Sequence, residues 1–360
     1  MTSEQTDAIR SALRELDDPH TGRPLGDAVR GVALSDGKLA VDVRLGYPCA
    51  GARDALAARV SAAASAFDEV ESVTVDLDWR IASHAVQGGL APIEGVRNIL
   101  AVASGKGGVG KSTVAANLAL ALAAEGARVG VLDADIYGPS QPRMLGLEGK
   151  PETTPDRGIL PMRSHGVQAM SIGVLVAVDQ AMIWRGPMAT QALSQMLTDT
   201  RWDDLDYLVV DLPPGTGDVQ LTLAQRIPVA GSVIVTTPQD VALDDVRRAV
   251  AMFRKVRVPV LGVIENMSTH RCSACGHEEA IFGHGGGERI AEETGLNLLG
   301  QLPLEAELGR STDDGTPIVV ADPDGAAAQR FRELARRVAG RLSSQEANTE
   351  IRMPKIRITD

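Results

Sequence analysis

Gly105-Lys106-Gly107-Gly108-Val109-Gly110-Lys111-Ser112 has the spacing G-x-x-x-x-G-K-S/T of a phosphate-binding loop. The apolar segment before it, Ile99–Ala103, predicts a strand, and the Ala/Leu-rich run after it, Thr113–Ala124, predicts a helix. Glycines let backbone N–H groups turn inward around an anion, and the helix N-terminus adds its positive dipole end. The strand, loop and helix in this order predict a nucleotide-binding P-loop.

The loop motif also predicts roles for two of its polar side chains. Lys111 is expected to reach the β- and γ-phosphates of ATP, and the Ser112 hydroxyl is expected to bind Mg²⁺. The residues predicted to hold the nucleotide are Gly105, Lys106, Gly107, Gly108, Val109, Gly110, Lys111, Ser112 and Thr113.

On both sides of the loop, short apolar strands alternate with helices between residues 98 and 342. The predicted strands are Ile99–Ala103, Val129–Leu132, Tyr207–Asp211, Val233–Thr236, Val260–Ile264 and Leu298–Gly300. Such alternation implies βαβ units and a mainly parallel sheet that is covered on both faces. We therefore predict an α/β fold for this region.

Residues 1–80 show a different pattern and predict a small α+β domain. Thr6–Leu16 reads as a helix, two strands flank the hairpin signal Asp36-Gly37, Ala50–Phe67 reads as a helix, and Val70–Trp79 as a strand. Residues 81–97 are predicted to be a linker. The polar stretch 343–360 is predicted to be a mobile tail.

Acidic residues end two of the predicted strands, where an open α/β sheet places its ligands. Asp211 closes the strand Tyr207–Asp211 as a Walker B carboxylate does, and is expected to hold Mg²⁺ directly or through water. Asp135 is the candidate for positioning the attacking water. Asp133 could share that task or cap the loop, and Asp218 could likewise be a loop cap.

Composition limits the classes of partner. The 360 residues carry a formal net charge of -11, which opposes wrapping nucleic acid or coating an anionic membrane. No stretch approaches the roughly 20 apolar residues that span a bilayer, and Met1–Arg10 lacks the apolar core of a signal peptide. We expect a cytoplasmic protein with no nucleic-acid or membrane partner.

Two of the three cysteines, Cys272 and Cys275, form a C-x-x-C pair in a polar, glycine-rich segment. Two thiolates cannot complete a zinc site or an all-thiolate cluster. A second copy of the chain could supply another pair, or His270 or His277 could complete a zinc site within one chain. A redox couple is a third possibility, although thioredoxin-like pairs normally open a helix directly after a strand.

Lys106 is a second lysine in a loop that needs one. The loop resembles the deviant Walker A motif K-G-G-x-G-K-S/T of the MinD, ParA, ArsA and nitrogenase-iron-protein group. In that group the first lysine crosses a two-fold interface to the partner's nucleotide, so the resemblance implies a homodimer in which Lys106 acts in trans. A two-fold axis and one C-x-x-C pair per chain supply the four thiolates of a bridging 4Fe–4S cluster.

The chain from about Gly95 to Leu342 resembles the Mrp (ApbC-type) branch of the iron–sulfur cluster carrier ATPases. The motifs that carry the resemblance are the loop Ser104–Thr113, Asp133–Ser140, Trp184-Arg-Gly-Pro187, Asp211–Asp218, Glu265-Asn-Met267, Cys272–His277, Phe282-Gly283 and Asp322-Pro323. The resemblance implies slow ATP hydrolysis and a cluster that is held across a homodimer and passed to apo-proteins. Asn266 matches a position that meets adenine in relatives, or it is a strand-end turn residue.

Residues 1–80 are similar to the small domain that precedes many Mrp ATPases and recurs in cluster-assembly factors. That domain often carries a cysteine where Cys49 stands, but here the proline precedes the cysteine instead of following it. We therefore expect Cys49 to be a small buried residue. The domain itself is expected to dock partners or client proteins.

Two other functions share parts of this pattern. A MinD- or ParA-like positioning ATPase has the same loop, but the tail Glu350–Asp360 contains Pro354 and is a poor membrane-binding helix. A zinc-binding P-loop protein would use the cysteines without carrying a cluster.

Overall fold

The computed structural model describes residues 3–84, 86–87, 90–175 and 186–347. The predicted tail 343–360 therefore lies outside the described residues from position 348 onward, as do Gly88 and Gly89 of the predicted linker. In the motif Trp184–Pro187, the first two residues lie outside them as well.

The N-terminal part has the predicted order of helix, strand, strand, helix and strand. Its elements are α1 (Ser3–Arg14), β1 (Val29–Ser35), β2 (Lys38–Leu45), α2 (Arg53–Ala64) and β3 (Ser72–Trp79), with 3₁₀ turns at Leu25–Ala28 and Ala50–Ala52. The sheet order is β1-β2-β3, with β1 antiparallel and β3 parallel to β2. Every second residue of β2 is buried, as a sheet with one face on a core requires.

The predicted hairpin turn is confirmed at Asp36-Gly37. Both residues have positive φ, +48° and +73°, which is the backbone of a type I′ turn. Ser35 and Lys38 pair on either side of it.

The second part is built on a nine-stranded sheet, which confirms the predicted α/β fold with a mainly parallel sheet. Its strands are β4 (Val96–Ser104), β5 (Val129–Asp133), β6 (Met162–Ser164), β7 (Val167–Ser171), β8 (Leu205–Asp211), β9 (Gly231–Thr236), β10 (Val260–Arg271), β11 (Glu278–Glu279) and β12 (Leu298–Leu304). The order is β11-β10-β9-β4-β8-β5-β7-β6, and β12 pairs with β10. The antiparallel strands are β6 and β11.

Helices cover both faces of this sheet. They are α3 (Lys111–Ala124), α4 (Gln141–Met144), α5 (Ile172–Leu175), α6 (Gly186–Asp199), α7 (Asp218–Arg226), α8 (Asp240–Lys255), α9 (Gly286–Thr294), α10 (Ala306–Asp313), α11 (Ile318–Ala321) and α12 (Ala326–Ser343). Leu100 and Val102 of β4 join a core with α3, α12 and the N-terminal sheet. Ile99 and Ala101 join a second core with α6, α7 and α8 on the opposite face.

The structure adds strands β6, β7 and β11 to the predicted set and lengthens β10. The pair β6 and β7 was not predicted, because Met162–Ser164 and Val167–Ser171 are short and mix polar with apolar residues. Strand β10 runs to Arg271, well beyond the predicted end at Ile264, because its outer half pairs with β11 and β12. None of the described helices is long and apolar enough to cross a bilayer.

A buried ionic network joins the N-terminal part to α3 and α12. Glu125 is fully buried and accepts hydrogen bonds from Arg332 Nε (2.7 Å), Arg336 Nη1 (2.8 Å) and the backbone N–H of Gly51 (2.8 Å). His20 Nε2 lies 3.2 Å from Glu333 Oε2 of α12. A paired buried charge is costly to disrupt, so this network fixes how the two parts meet.

The same network predicts a pH dependence of stability. Burial opposes protonation of His20, but hydrogen bonds to Asp18 and Glu333 outweigh it and raise the pKa of His20 above its ordinary value of 6.5. The pKa values of Asp18 and Glu333 are lowered. The contribution of protonated His20 to the stability of the folded protein is therefore fully present below about pH 6.5, and it is lost as the pH rises through the raised pKa. The carboxylates of Asp18 and Glu333 stabilise the folded protein at pH values above their ordinary pKa values, and this stabilisation is lost as the pH falls through their lowered pKa values.

We expect His20→Gln to lower the free energy of unfolding by about 1–2 kcal/mol at pH 6 and by less at pH 8.5, because charge-assisted hydrogen bonds are lost. Urea denaturation of both proteins at the two pH values measures the difference. A loss of equal size at both pH values would show that His20 contributes by packing and not by its charge.

Candidate functional site

The predicted phosphate loop lies between the end of β4 and the start of α3, at the carboxyl edge of the parallel sheet. Gly108 and Gly110 both have φ of +81°, a backbone conformation that residues with a side chain rarely adopt. A Cβ on Gly110 would lie 2.3 Å from Asn266 Nδ2, whereas one on Gly107 or Gly108 would meet open space. The loop is thus closed on its inner side and open on the side that faces solvent, as an anion cradle requires.

Lys111 and Asp211 are both buried and form an ion pair between Nζ and Oδ1. Lys111 Nζ also lies 3.2 Å from Ser112 Oγ. The three side chains that sequence reasoning assigned to phosphate and Mg²⁺ are therefore brought together at the end of β8. A carboxylate beside a hydroxyl is a donor set that suits Mg²⁺.

Sequence reasoning missed Gln141, which links these groups. Its side-chain Nε2 donates to Asp211 Oδ2 (2.9 Å) and to the Ser112 carbonyl (3.0 Å). Its Oε1 is buried, and within the described residues it has no hydrogen-bond partner. A buried acceptor without a protein partner, on a side chain that contacts the nucleotide loop, fits a site for a bound water. The signal in the sequence was its place at the end of the loop Asp133–Ser140.

The two aspartates after β5 have different surroundings. Asp133 is fully buried, and burial together with the nearby charge of Asp211 raises its pKa to about 7. Its Oδ2 accepts hydrogen bonds from the Gln141 N–H (3.1 Å) and Ser171 Oγ (3.0 Å), so it caps the loop. Asp135 is half-buried, and burial raises its pKa although the charge of Lys111 opposes the shift. Asp135 is therefore the better placed of the two to meet a substrate water.

Lys106 lies within the loop, and Asn266 contacts the loop from β10. The Lys106 side chain is exposed and forms no ion pair with any residue that the structure describes. Asn266 is buried, and its Nδ2 donates to the Val109 carbonyl at 2.9 Å. Its amide thus binds the loop itself, and its predicted contact with adenine stays a prediction.

The cysteine pair occupies the tip of a hairpin made by β10 and β11. The turn is closed by the Cys272 N–H to His277 carbonyl bond (2.9 Å) and the Gly276 N–H to Cys272 carbonyl bond (2.8 Å). Cys275 is exposed and Cys272 half-exposed. Hydrogen bonds from the backbone N–H groups of Cys275 and Ala274, and from the Cys275 side chain, lower the pKa of Cys272. A lowered pKa favours the thiolate, which is the form of cysteine that binds metals.

The third cysteine lies elsewhere. Cys49 is fully buried beside the Glu125 network, and burial raises its pKa to about 12, so its thiol stays neutral. In the part of the chain that the structure describes, no three His, Cys, Asp or Glu side chains are grouped as a metal site. His270 and His277 are thus not gathered with the cysteines into one ligand set.

Three of the five large apolar side chains that are exposed within the described residues lie near the same edge of the molecule. Tyr137 (58% exposed) follows β5, Val241 (64%) begins α8 after β9, and Ile281 (48%) follows the cysteine hairpin. Tyr137 and Val241 therefore lie beyond the carboxyl ends of parallel strands, where the phosphate loop also lies, and Ile281 follows β11, which pairs with the outer end of β10. Exposed apolar groups around a polar site are typical of an interface.

Comparison with known proteins covers most of the chain. Residues 95–339 match the family described as NUBPL iron-transfer P-loop NTPase, and residues 6–77 match the family described as iron-sulfur cluster assembly protein.

Among relatives, the chain is 53% identical over 316 residues to the iron-sulfur cluster carrier protein of Salmonella typhimurium, covering 88% of this chain and 86% of the relative. It is 49% identical over 255 residues to the iron-sulfur cluster transfer protein NUBPL of Mus musculus, covering 70% and 80%. Among solved structures, a nucleotide-binding protein of Archaeoglobus fulgidus in complex with ADP is 36% identical with a TM-score of 0.57, covering 66% of this chain and 93% of that one. The cell division ATPase MinD of Pyrococcus furiosus, 22% identical with a TM-score of 0.50 over 67% of this chain and 98% of that one, shares the fold.

Proposed function

Because the chain belongs to the family of iron-transfer P-loop NTPases, we propose that it is an ATP-hydrolysing iron–sulfur cluster carrier. It assembles a 4Fe–4S cluster between two copies of itself and transfers that cluster to apo-proteins. The observation that carries the proposal is the exposed hairpin with Cys272 and Cys275 at its tip. This hairpin extends from the strand whose Asn266 contacts the phosphate loop.

The ligand count requires the second copy. One chain offers two accessible thiols, since its third cysteine is buried and neutral. An all-thiolate cluster takes four. Two hairpins that meet about a two-fold axis supply four thiolates, and the exposed apolar groups Tyr137, Val241 and Ile281 supply a surface to bury on the same edge.

The nucleotide site supports hydrolysis in the following way. The loop N–H groups and Lys111 bind the phosphates of ATP, and Ser112 with Asp211 holds Mg²⁺, which neutralises phosphate charge when bound. Lys111 is paired with Asp211, so the phosphates of ATP would compete with this carboxylate for the ammonium group. Asp135, with its raised pKa, orients the attacking water.

Lys106 has no counter-ion among the described residues and extends from the open side of the loop, which suits contact with a partner's nucleotide. We expect Lys106→Ala to bind nucleotide at nearly wild-type affinity but to hydrolyse it poorly, because transition-state charge is left uncompensated. Normal turnover would contradict a role in trans.

Mixing two inactive variants tests the trans role more sharply. In a heterodimer of Lys106→Ala with Lys111→Ala, one of the two sites has its own Lys111 and receives Lys106 from the partner chain. If Lys106 acts in trans, an equimolar mixture recovers about a quarter of wild-type turnover, since half the dimers are mixed and each has one complete site. If Lys106 acts on its own chain's nucleotide, the mixture stays inactive.

Anaerobic reconstitution with iron and sulfide, followed by incubation with an apo-enzyme, tests the function as a whole. The expected result is a brown chromophore that transfers and activates the acceptor. Stoichiometric zinc with no chromophore would favour the zinc-binding alternative. ATP-dependent co-sedimentation with liposomes or DNA would favour a positioning ATPase.

A further inference from the structure

A large cleft separates the N-terminal sheet from the amino edge of the nine-stranded sheet. Its volume is about 1190 Å³. Arg30 enters it from the start of β1, Arg44 and Arg80 from the ends of β2 and β3, and Arg97 and Arg128 from the starts of β4 and β5. The cleft thus lies at the edge of the sheet opposite to the phosphate loop and the cysteine hairpin.

The charges in the cleft do not balance. Arg97 and Arg128 are both paired with Asp204 and Asp206, at 3.0 Å for Arg97–Asp204 and 3.2 Å for Arg128–Asp206.

Arg44 is paired with Asp78 at 2.9 Å. Arg30 and Arg80 are exposed, and neither forms an ion pair within the described residues. The cleft therefore has two free guanidinium groups in a chain whose net charge is -11.

The cleft also has an apolar component. Trp79, Ile81, Ile93 and Val96 line it and are each half-buried. Its volume exceeds the roughly 300–1,000 Å³ typical of pockets for single small molecules. Guanidinium groups bind carboxylates with paired hydrogen bonds, and the apolar side chains suit aliphatic groups between those carboxylates.

We propose that this cleft docks an acidic segment, interspersed with aliphatic residues, of a partner protein that exchanges clusters with this chain. The proposal rests on the proposed function and names the kind of partner it requires. A long nucleic acid would be repelled by the negative charge of the whole chain. A short peptide segment meets only the charges within about 8 Å, the screening length at physiological salt.

Docking at this edge leaves the cysteine hairpin free. Strand β4, which runs from the cleft to the phosphate loop, has nine residues and so spans about 30 Å. A partner held by a short segment at one end can bring its cluster-accepting part to the other end if a flexible linker joins the two. Holding the partner raises its local concentration without covering the thiols.

The test uses the full chain, free of nucleotide and cluster. The probe is a fluorescein-labelled twelve-residue peptide of aspartate, glutamate and leucine, and binding is followed by fluorescence anisotropy at low salt. The control peptide has glutamine and asparagine in place of the acids, and a labelled single-stranded oligonucleotide is measured in parallel. The acidic peptide should bind most tightly and should weaken as salt is raised.

Arg30→Ser with Arg80→Ser should weaken binding of the acidic peptide about tenfold. Lys255→Ser with Arg330→Ser removes the same charge from exposed positions outside the cleft and should have little effect. Equal weakening by both double variants, equal binding of the neutral peptide, or tighter binding of the oligonucleotide would each overturn the proposal. Peptide binding needs neither ATP nor a cluster. A failure of the cleft to bind the peptide can therefore be distinguished from a failure of the chain to carry a cluster.

Discussion

Lys111→Ala should lose ATP hydrolysis by at least about a hundredfold and should also unfold more easily without nucleotide. The first effect follows because the lysine neutralises phosphate charge in the transition state. The second follows because Lys111 is the cation paired with buried Asp211, whose charge acts on buried Asp133. Removing one partner of a buried pair costs about 3–5 kcal/mol. Steady-state phosphate release and urea denaturation measure the two effects.

A compensating change separates charge from packing. Lys111→Ala combined with Asp211→Asn should recover most of the lost stability, because no uncompensated carboxylate remains at that position, while hydrolysis stays absent. Lys106→Ala is the matched control, since it removes an exposed lysine from the same loop and should leave stability unchanged. Wild-type stability in Lys111→Ala would show that the ion pair with Asp211 does not form in solution.

Cys272→Ser and Cys275→Ser should each abolish the reconstituted chromophore and reduce bound iron to background. Replacing one cysteine per chain leaves two thiolates in a dimer, which are too few for an all-thiolate cluster. Absorbance near the chromophore maximum and iron analysis after anaerobic reconstitution make the measurement. Retention of iron by either variant would show that the hairpin is not the cluster site.

Cys49→Ser is the control for that experiment. Its thiol is fully buried and its raised pKa of about 12 keeps it neutral, so it is a poor ligand. We expect wild-type iron content in this variant. Loss of the chromophore would mean that the N-terminal part contributes directly to the cluster.

One strand gives a physical route from nucleotide to cluster. On β10, Asn266 binds the Val109 carbonyl of the phosphate loop, and Cys272 follows directly after the end of the strand, six residues later. Between them the strand is irregular, with Met267 at φ +57° and a register shift against β12. Buried Glu265 on the same strand accepts hydrogen bonds from the Gly287 N–H and from Gln301 Nε2. The phosphate loop and the hairpin are therefore joined by one continuous strand, which can carry a change at the loop to the cysteines.

Motifs with a local signal could be predicted from the sequence. The spacing of Gly105–Ser112 defined the strand, loop and helix around the nucleotide, and Asp36-Gly37 defined a turn because few residues adopt its backbone. The mainly parallel sheet followed from alternation of strands and helices. The loop and the turn are encoded within a few neighbouring residues, and the sheet is encoded in the alternation of many local segments.

Features that depend on distant contacts could not be predicted in this way. Gln141 acquires its place from Asp211 and Ser112, 70 and 29 residues away. The outer half of β10 is a strand because β11 and β12 pair with it. The arginines of the cleft are scattered between positions 30 and 128 and meet only when the two sheets are apposed.

The central claim is that two copies of the chain share one cluster, and native mass spectrometry after anaerobic reconstitution tests it most directly. We expect a species of two chains that holds four irons and four sulfides, and Cys272→Ser should yield no such species. A single chain that holds the full cluster, or one that holds a zinc ion and stays monomeric with ATP present, would contradict the account.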